Sequence, residues 1–215
     1  MGKNDNKEVR SCAIEPIAKE DSRTIRGTAL RFDEPSIPLS YGGKIFTEVI
    51  SRSAITEEVL QRSDIKAYIS HNTDRLLARS CRGAGSLTLE LDDAGLHFEF
   101  DAPHTQTGDE ALELIRRGDI RGCSFAFYNA EDKWEKREDG TYVRTITSIP
   151  CIDDVSIVVS PAYECTEVSV RGLERLNEEQ KPQPEEKAEE TTAEEQEPQP
   201  EEVSDAYYNE LEAVI

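Results

Sequence analysis

Ser124 opens an apolar run, Cys123-Ser124-Phe125-Ala126-Phe127, whose other members prefer burial, so its hydroxyl lies where a core meets a surface. Such a hydroxyl is either a satisfied structural group or a nucleophile. As a nucleophile it needs a general base within hydrogen-bond reach, and the base needs a third group to orient it. The chain has three histidines. His97 lies mid-strand beside Phe98 and reads as structural or surface. His104 follows Pro103 in a loop, where a solvated polar residue is expected. His71 ends a strand and opens the polar turn Asn72-Thr73-Asp74, a place where a rigid scaffold can present either a base or a plain turn residue. The acid pair Asp153-Asp154 enters the apolar run Val155-Ser156-Ile157-Val158-Val159. Neighbouring strand residues face opposite sides, so one carboxylate of the pair is expected to face a given site, where it can orient an imidazole. The same group can equally be a solvated strand end.

Many short strands must carry these groups. Period-two alternation predicts strands over Ser11–Ala18 and Thr24–Phe32, and Lys44–Ile50 and Asp64–Ser70 read as further strands, the last delivering His71. Leu76–Arg82, Ser86–Leu91, Leu96–Phe100, Ile120–Asn129, Trp134–Arg137, Thr141–Ile146, Cys151–Ser160 and Glu167–Arg171 follow as strands. Asp92-Asp93-Ala94-Gly95 and Glu138-Asp139-Gly140 read as hairpin turns. Two helices stand out. One is capped by Ser51 or Ser53 and runs to Arg62; the other has Thr107 as N-cap, Glu110 completing a capping box, a body over Ala111–Arg117 and a stop at Gly118. The fold class predicted is mainly β (α+β), with local antiparallel pairing that favours a closed or nearly closed barrel wrapped by a few helices.

Of 215 residues, 25 are Lys or Arg and 45 are Asp or Glu, for a formal charge of −20. The excess is concentrated at the end: from Glu174 to Ile215 there are 15 acidic and 3 basic residues. Residues 1–10 are polar and read as a flexible N-terminus, and 11–173 as the folded body. Residues 174–202, rich in Glu, Pro and Gln, are too polar to bury a core and read as a disordered linker. Residues 203–215 regain Tyr207, Tyr208, Leu211, Val214 and Ile215, the composition of a short docking peptide. No basic face is available to neutralise phosphates, which argues against a nucleic-acid partner. No run approaches the ~20 apolar residues of a membrane span, and the N-terminus has no apolar signal core, so a soluble intracellular chain without a membrane partner is expected. Five scattered cysteines without C-x-x-C spacing read as reduced thiols. No His/Asp/Glu cluster has ligand spacing, so neither a metal nor a cofactor is expected.

Five segments in order resemble the prohead proteases of tailed bacteriophages. Phe46-Thr47-Glu48-Val49-Ile50-Ser51-Arg52-Ser53-Ala54 is similar to that family's F-x-E-V-I-x-x-G-A opening. Ile69-Ser70-His71-Asn72, Asp93-Ala94-Gly95-Leu96, Arg117 through Phe127, and Asp154 through Tyr163 follow, so the resemblance spans roughly 11–171. It implies a relative of the herpesvirus assemblins, with a β-barrel and a serine–histidine pair that falls on Ser124 and His71. The acidic third member falls on Asp154, with Asp153 as the alternative. The chain departs from the family pattern at Ser53, where glycine is usual, and at Asp154, where glutamate is frequent.

The resemblance further implies a serine endopeptidase acting on scaffold protein, on the arm of the major capsid protein, and on itself. It would work inside the assembling procapsid in the host cytoplasm. Assemblins dimerise, so a homodimer is a further implication. Two rival readings accompany it. A non-catalytic assembly or scaffolding protein on the same fold would lack a member of the triad, and none is missing here. A cysteine hydrolase would use Cys123 or Cys81 with His71, but Cys123 adjoins Ser124 on a strand and is expected to point the other way.

Overall fold

The two-residue period of Asp64-Ile65-Lys66-Ala67-Tyr68-Ile69 buries Ile65, Ala67 and Ile69 and leaves the residues between them partly open. That pattern, repeated along the chain, builds a mainly β molecule. The structure, a computed structural model, describes residues 7–13, 15–18, 22–41 and 44–159. The strand expected at 167–171, Cys165, the acidic linker and the apolar end at 203–215 lie outside the described residues.

In chain order the elements are β1 (Lys7–Cys12), β2 (Ile17–Ala18), β3 (Thr24–Arg31), β4 (Leu39–Tyr41) and β5 (Lys44–Ile50), then a 3-10 turn at Arg52–Ala54 and α1 (Glu57–Arg62). There follow β6 (Asp64–Ile69), β7 (Leu76–Cys81), β8 (Ala84–Gly85), β9 (Thr88–Leu91), β10 (Gly95–Asp101) and α2 (Gln106–Arg116). The last are β11 (Gly122–Tyr128), β12 (Glu131–Lys136), β13 (Tyr142–Ser148) and β14 (Cys151–Val158). Among the described residues, no helix is long and apolar enough to cross a membrane.

The described strands form a six-stranded sheet ordered β1-β11-β14-β6-β7-β8 and two four-stranded sheets, β2-β3-β10-β9 and β12-β13-β5-β4. Most pairs are antiparallel, but β14 runs parallel to β6 and β13 parallel to β5, each joining segments distant in the chain. The expected closed barrel is therefore not seen among the described residues. Where closure would need a further backbone ladder at the β1 edge, β1 meets its neighbours through side chains. Cys12 Sγ lies 3.1 Å from the Thr28 carbonyl on β3, and Glu8 and Arg10 ion-pair with residues of β5 and β13.

Three local expectations shift for identifiable reasons. β1 begins at Lys7, inside the segment read as a flexible terminus, and pairs with β11 from Lys7 opposite Tyr128 to Cys12 opposite Cys123. The first helix divides: Ser51 caps the 3-10 turn, the chain extends through buried Ile55, and Thr56 caps α1 by accepting from the Val59 N–H. α2 starts earlier than predicted, capped by Thr105, whose hydroxyl accepts from the Gly108 N–H at 3.2 Å. Only glycine fits at 108, since a Cβ there would stand 2.0 Å from the Pro103 carbonyl. Gly118, with φ +72°, ends α2 as expected.

The least readable feature is a buried ion cluster. Arg144 on β13 has no exposed surface, and its Nη1 lies 2.6 Å from Glu8 and 2.7 Å from Glu48, with its Nε 2.6 Å from Asp132. Arg10 completes the cluster, 2.5 Å from Glu48 and 2.8 Å from Glu8. Burial alone would raise the Glu48 pKa, but the guanidiniums of Arg10 and Arg144 outweigh it and hold the carboxyl below its ordinary value. A carboxylate depressed in the folded state contributes stability that is present above the unfolded pKa and lost as pH falls through the folded one. Glu48→Gln should therefore cost about 3–5 kcal/mol at neutral pH, the usual penalty for stripping one partner from a buried ion pair. In denaturant titrations the gap to wild type should narrow as pH drops below the ordinary carboxylate range. A gap that stays constant down to acid pH would contradict the assignment.

Candidate active site

β11 lies in the six-stranded sheet with β1 on one side and β14 on the other, and Ser124 stands in register with Ser11 and with Ser156. Cross-strand neighbours project to the same face. Cys123, Phe125 and Phe127 occupy the opposite face, where the two phenylalanine rings stack with centroids 5.0 Å apart. Ser124 is thus the polar member of a strand whose other face belongs to the core.

His71 arrives through a strained turn. After Ile69 ends β6, Ser70 and His71 take φ of +53° and +56°, two consecutive left-handed residues that are not glycine. Each costs on the order of 1–3 kcal/mol and persists only when surroundings over-determine it. Here the determinants are visible: the Ser70 N–H donates to the Ile157 carbonyl at 2.9 Å, the His71 N–H to Ser156 Oγ at 3.2 Å, and the Asn72 N–H to the Ile69 carbonyl at 3.1 Å. The turn sends the imidazole back over β14 towards β11.

The structure brings together all three residues singled out from the sequence. His71 Nε2 lies 2.7 Å from Ser124 Oγ, and His71 Nδ1 lies 2.6 Å from Asp154 Oδ1. A neutral His71 that donates its Nδ1–H to Asp154 carries the lone pair on Nε2, where it accepts the Ser124 hydroxyl. Ser124 and Asp154 are buried, whereas the His71 side chain keeps 21 % of its surface exposed, so solvent reaches the group through the imidazole.

Both aspartates of the pair reach the same side, contrary to simple alternation. Ala126 pairs with Asp154 but Phe127 pairs with Ile152, which leaves Asp153 as the extra residue of a β-bulge. The two carboxylates then divide the work. Asp154 meets His71, while Asp153 takes Lys7 at 2.6 Å and Lys66 at 3.3 Å, with the Tyr128 hydroxyl at 3.4 Å. Burial pushes the Asp153 carboxyl up, but Lys7 and Lys66 outweigh it and hold it below its usual value. The Lys7 ammonium also stands 3.5 Å from Asp154, so it screens the two acids from each other.

Four contributors lie outside the residues singled out from the sequence. Ser156 donates to Asp154 Oδ1 at 2.8 Å, and its place two residues after Asp154 on one strand face was the available signal. Ser11 donates to Ser124 Oγ at 3.0 Å, and the Arg10 carbonyl lies 2.9 Å from the same oxygen. Nothing in the sequence announces the register that brings β1 there. Lys7 is hidden for the same reason.

The remaining candidates fall elsewhere. Cys123 is fully buried on the far face, and burial pushes its thiol well up, away from the thiolate a nucleophile needs. Cys81 is exposed and pairs with Asp64 at the start of β6, roughly 20 Å of strand away from His71 at about 3.3 Å per residue. His97 sits in another sheet, its Nδ1 3.0 Å from Thr28 Oγ1, and His104 is exposed. Among the described residues no group of three or more His, Cys, Asp or Glu side chains is placed to hold a metal ion.

The family model of caudovirus prohead serine proteases matches residues 8–181, a span that takes in β1 from Glu8 on, the turn at His71, β11 and β14. No curated protein and no solved structure matches the chain. With four-fifths of its length under that match, and a serine, a histidine and an aspartate in one hydrogen-bonded line inside it, the chain belongs to the caudovirus prohead serine protease family.

Proposed function

We propose that Ser124, His71 and Asp154 perform the peptide hydrolysis of this protease. The observation that carries the reading is the unbroken line from Ser124 Oγ to His71 at 2.7 Å and from His71 to Asp154 at 2.6 Å. Ser124 Oγ attacks the scissile carbonyl carbon while its proton passes to His71 Nε2. The tetrahedral oxyanion collapses, His71 returns the proton to the leaving amine, and the Ser124 ester is released by water activated at the same imidazole. Asp154 holds the Nδ1–H throughout and stabilises the imidazolium in between. The Arg10 carbonyl, 2.9 Å from Ser124 Oγ, can only accept and so competes with His71 Nε2 for the one Ser124 proton; attack requires the hydroxyl to turn from Arg10 to His71.

The substrates we propose are scaffold protein and the scaffold-like arm of the major capsid protein, cut inside the procapsid in the host cytoplasm. We include the chain's own acidic segment after Glu174, whose composition suits entry into a cleft without unfolding work. Family membership supports the capsid setting.

Co-expression with capsid and scaffold proteins, followed by intact-mass analysis, tests the reading. Wild type should shorten its substrates, whereas Ser124→Ala should leave them full length with an unchanged circular dichroism spectrum. Cleavage by the Ser124→Ala protein at the wild-type rate would overturn the proposal. Asp154→Asn should slow cleavage by roughly 10⁴-fold, as expected when the orienting acid of such a triad is neutralised. Asp153→Asn should stay within a few-fold of wild type; the reverse ranking would exchange the roles of the two aspartates.

A further inference from the structure

Ser156 is the group around which the His71 turn and the Asp154 carboxylate are assembled, and the line from serine to histidine to aspartate does not use it. Its side chain is buried, with 1 % of the residue exposed, between β11 and β6. One hydroxyl serves two partners. As donor it gives its proton to Asp154 Oδ1 at 2.8 Å, the same oxygen that lies 2.6 Å from His71 Nδ1. As acceptor it takes the His71 backbone N–H at 3.2 Å, and it stands 3.3 Å from the His71 ring nitrogen that faces Asp154.

The backbone bond matters because of the φ of +56° at His71. In that conformation the His71 N–H is aimed down at β14, where a buried amide without a partner costs about 1–3 kcal/mol. Ser156 Oγ is the acceptor that removes this cost. The same oxygen therefore selects the left-handed turn that carries the imidazole to Ser124, and fixes the carboxylate oxygen against which the imidazole is aligned. The bulge at Asp153 and the bond from Ser156 together place the Asp154 carboxylate.

We infer that Ser156 is a positioning residue of the protease, holding the backbone of His71 and the carboxylate of Asp154 in one arrangement so that Nδ1 keeps its proton and Nε2 faces Ser124. It rests on the reading of Ser124, His71 and Asp154 given above. Although Ser156 faces Ser124 across the strand pair, its hydroxyl bonds to His71 and Asp154, and it acts through these two residues.

Ser156→Thr and Ser156→Val give the full-length chain side chains of nearly equal shape that differ in the hydroxyl, so any crowding from the added methyl cancels in the comparison. Two readouts follow. The first is the proton spectrum, in which wild type and Ser156→Thr should show a far-downfield His71 Nδ1–H resonance that Ser156→Val lacks. The second is labelling by a fluorophosphonate probe, resolved into its maximal rate and its half-saturation concentration. Ser156→Val should lose about 10- to 100-fold in maximal rate relative to Ser156→Thr, the range typical of groups that orient a reacting side chain, with half-saturation unchanged. Equal spectra and equal rates for the two variants would overturn the inference, as would a loss confined to half-saturation. Ser124→Ala run alongside separates the two levels of the account. If it labels like wild type, the reading of Ser124 fails; if it is unlabelled while the two Ser156 variants behave alike, the positioning role alone fails.

Discussion

Burying the Arg144 guanidinium with Glu8, Glu48, Asp132 and Arg10 is the constraint on which the rest of the architecture depends. Taking these charges out of water costs several kcal/mol per ion, recovered only if every one keeps its partners at close range. The cluster joins four strands of two sheets: β1 brings Glu8 and Arg10, β5 brings Glu48, β12 brings Asp132 and β13 brings Arg144. Among the described residues no backbone ladder links β1 to β5 or β13. Side-chain charge does instead what a closing ladder would do in a barrel, and it fixes β1 in register against β11.

That register matters because β1 has two faces. Glu8 and Arg10 point back into the cluster, while Lys7 and Ser11, one residue out of phase, lie on the face of Ser124 and the acid pair. The Arg10 carbonyl and the Ser11 hydroxyl both reach Ser124 Oγ, so the surroundings of the candidate nucleophile are set by the same strand that anchors the cluster. Two local departures from regular structure finish the arrangement. The left-handed pair Ser70-His71 turns the imidazole onto the sheet, and the bulge at Asp153 swings two carboxylates to one side of β14. Backbone strain and bulges of this kind survive where surrounding bonds over-determine them, and here Ser156 and the strand carbonyls supply those bonds.

The legibility of the sequence follows from what each feature depends on. Ser124, His71 and Asp154 could be singled out because each sits at a strand start, a strand end or a polar break in an apolar run, and because their order matched a family pattern. The strands themselves were legible from alternation, with β6 the clearest case. The separation into three sheets was not, since parallel pairing of β14 with β6 and of β13 with β5 joins distant segments and leaves no local trace. Glu8 and Arg10 fell in the segment read as a flexible terminus, because a single charged residue carries no sign of the partner that will bury it. The start of β1 was therefore placed at Ser11 and not at Lys7. The bulge was hidden too: simple alternation assigned Asp153 and Asp154 to opposite faces, and one extra residue in β14 reverses that.

The central claim is that Ser124, activated by His71, is the nucleophile. Treating the full-length chain with a fluorophosphonate and mapping the modified peptide by mass spectrometry tests it most directly. The account predicts a single stoichiometric adduct on Ser124 that is absent from His71→Ala. A chain that cleaves capsid protein yet carries no adduct on Ser124, or that is silenced by a thiol reagent instead, would contradict it.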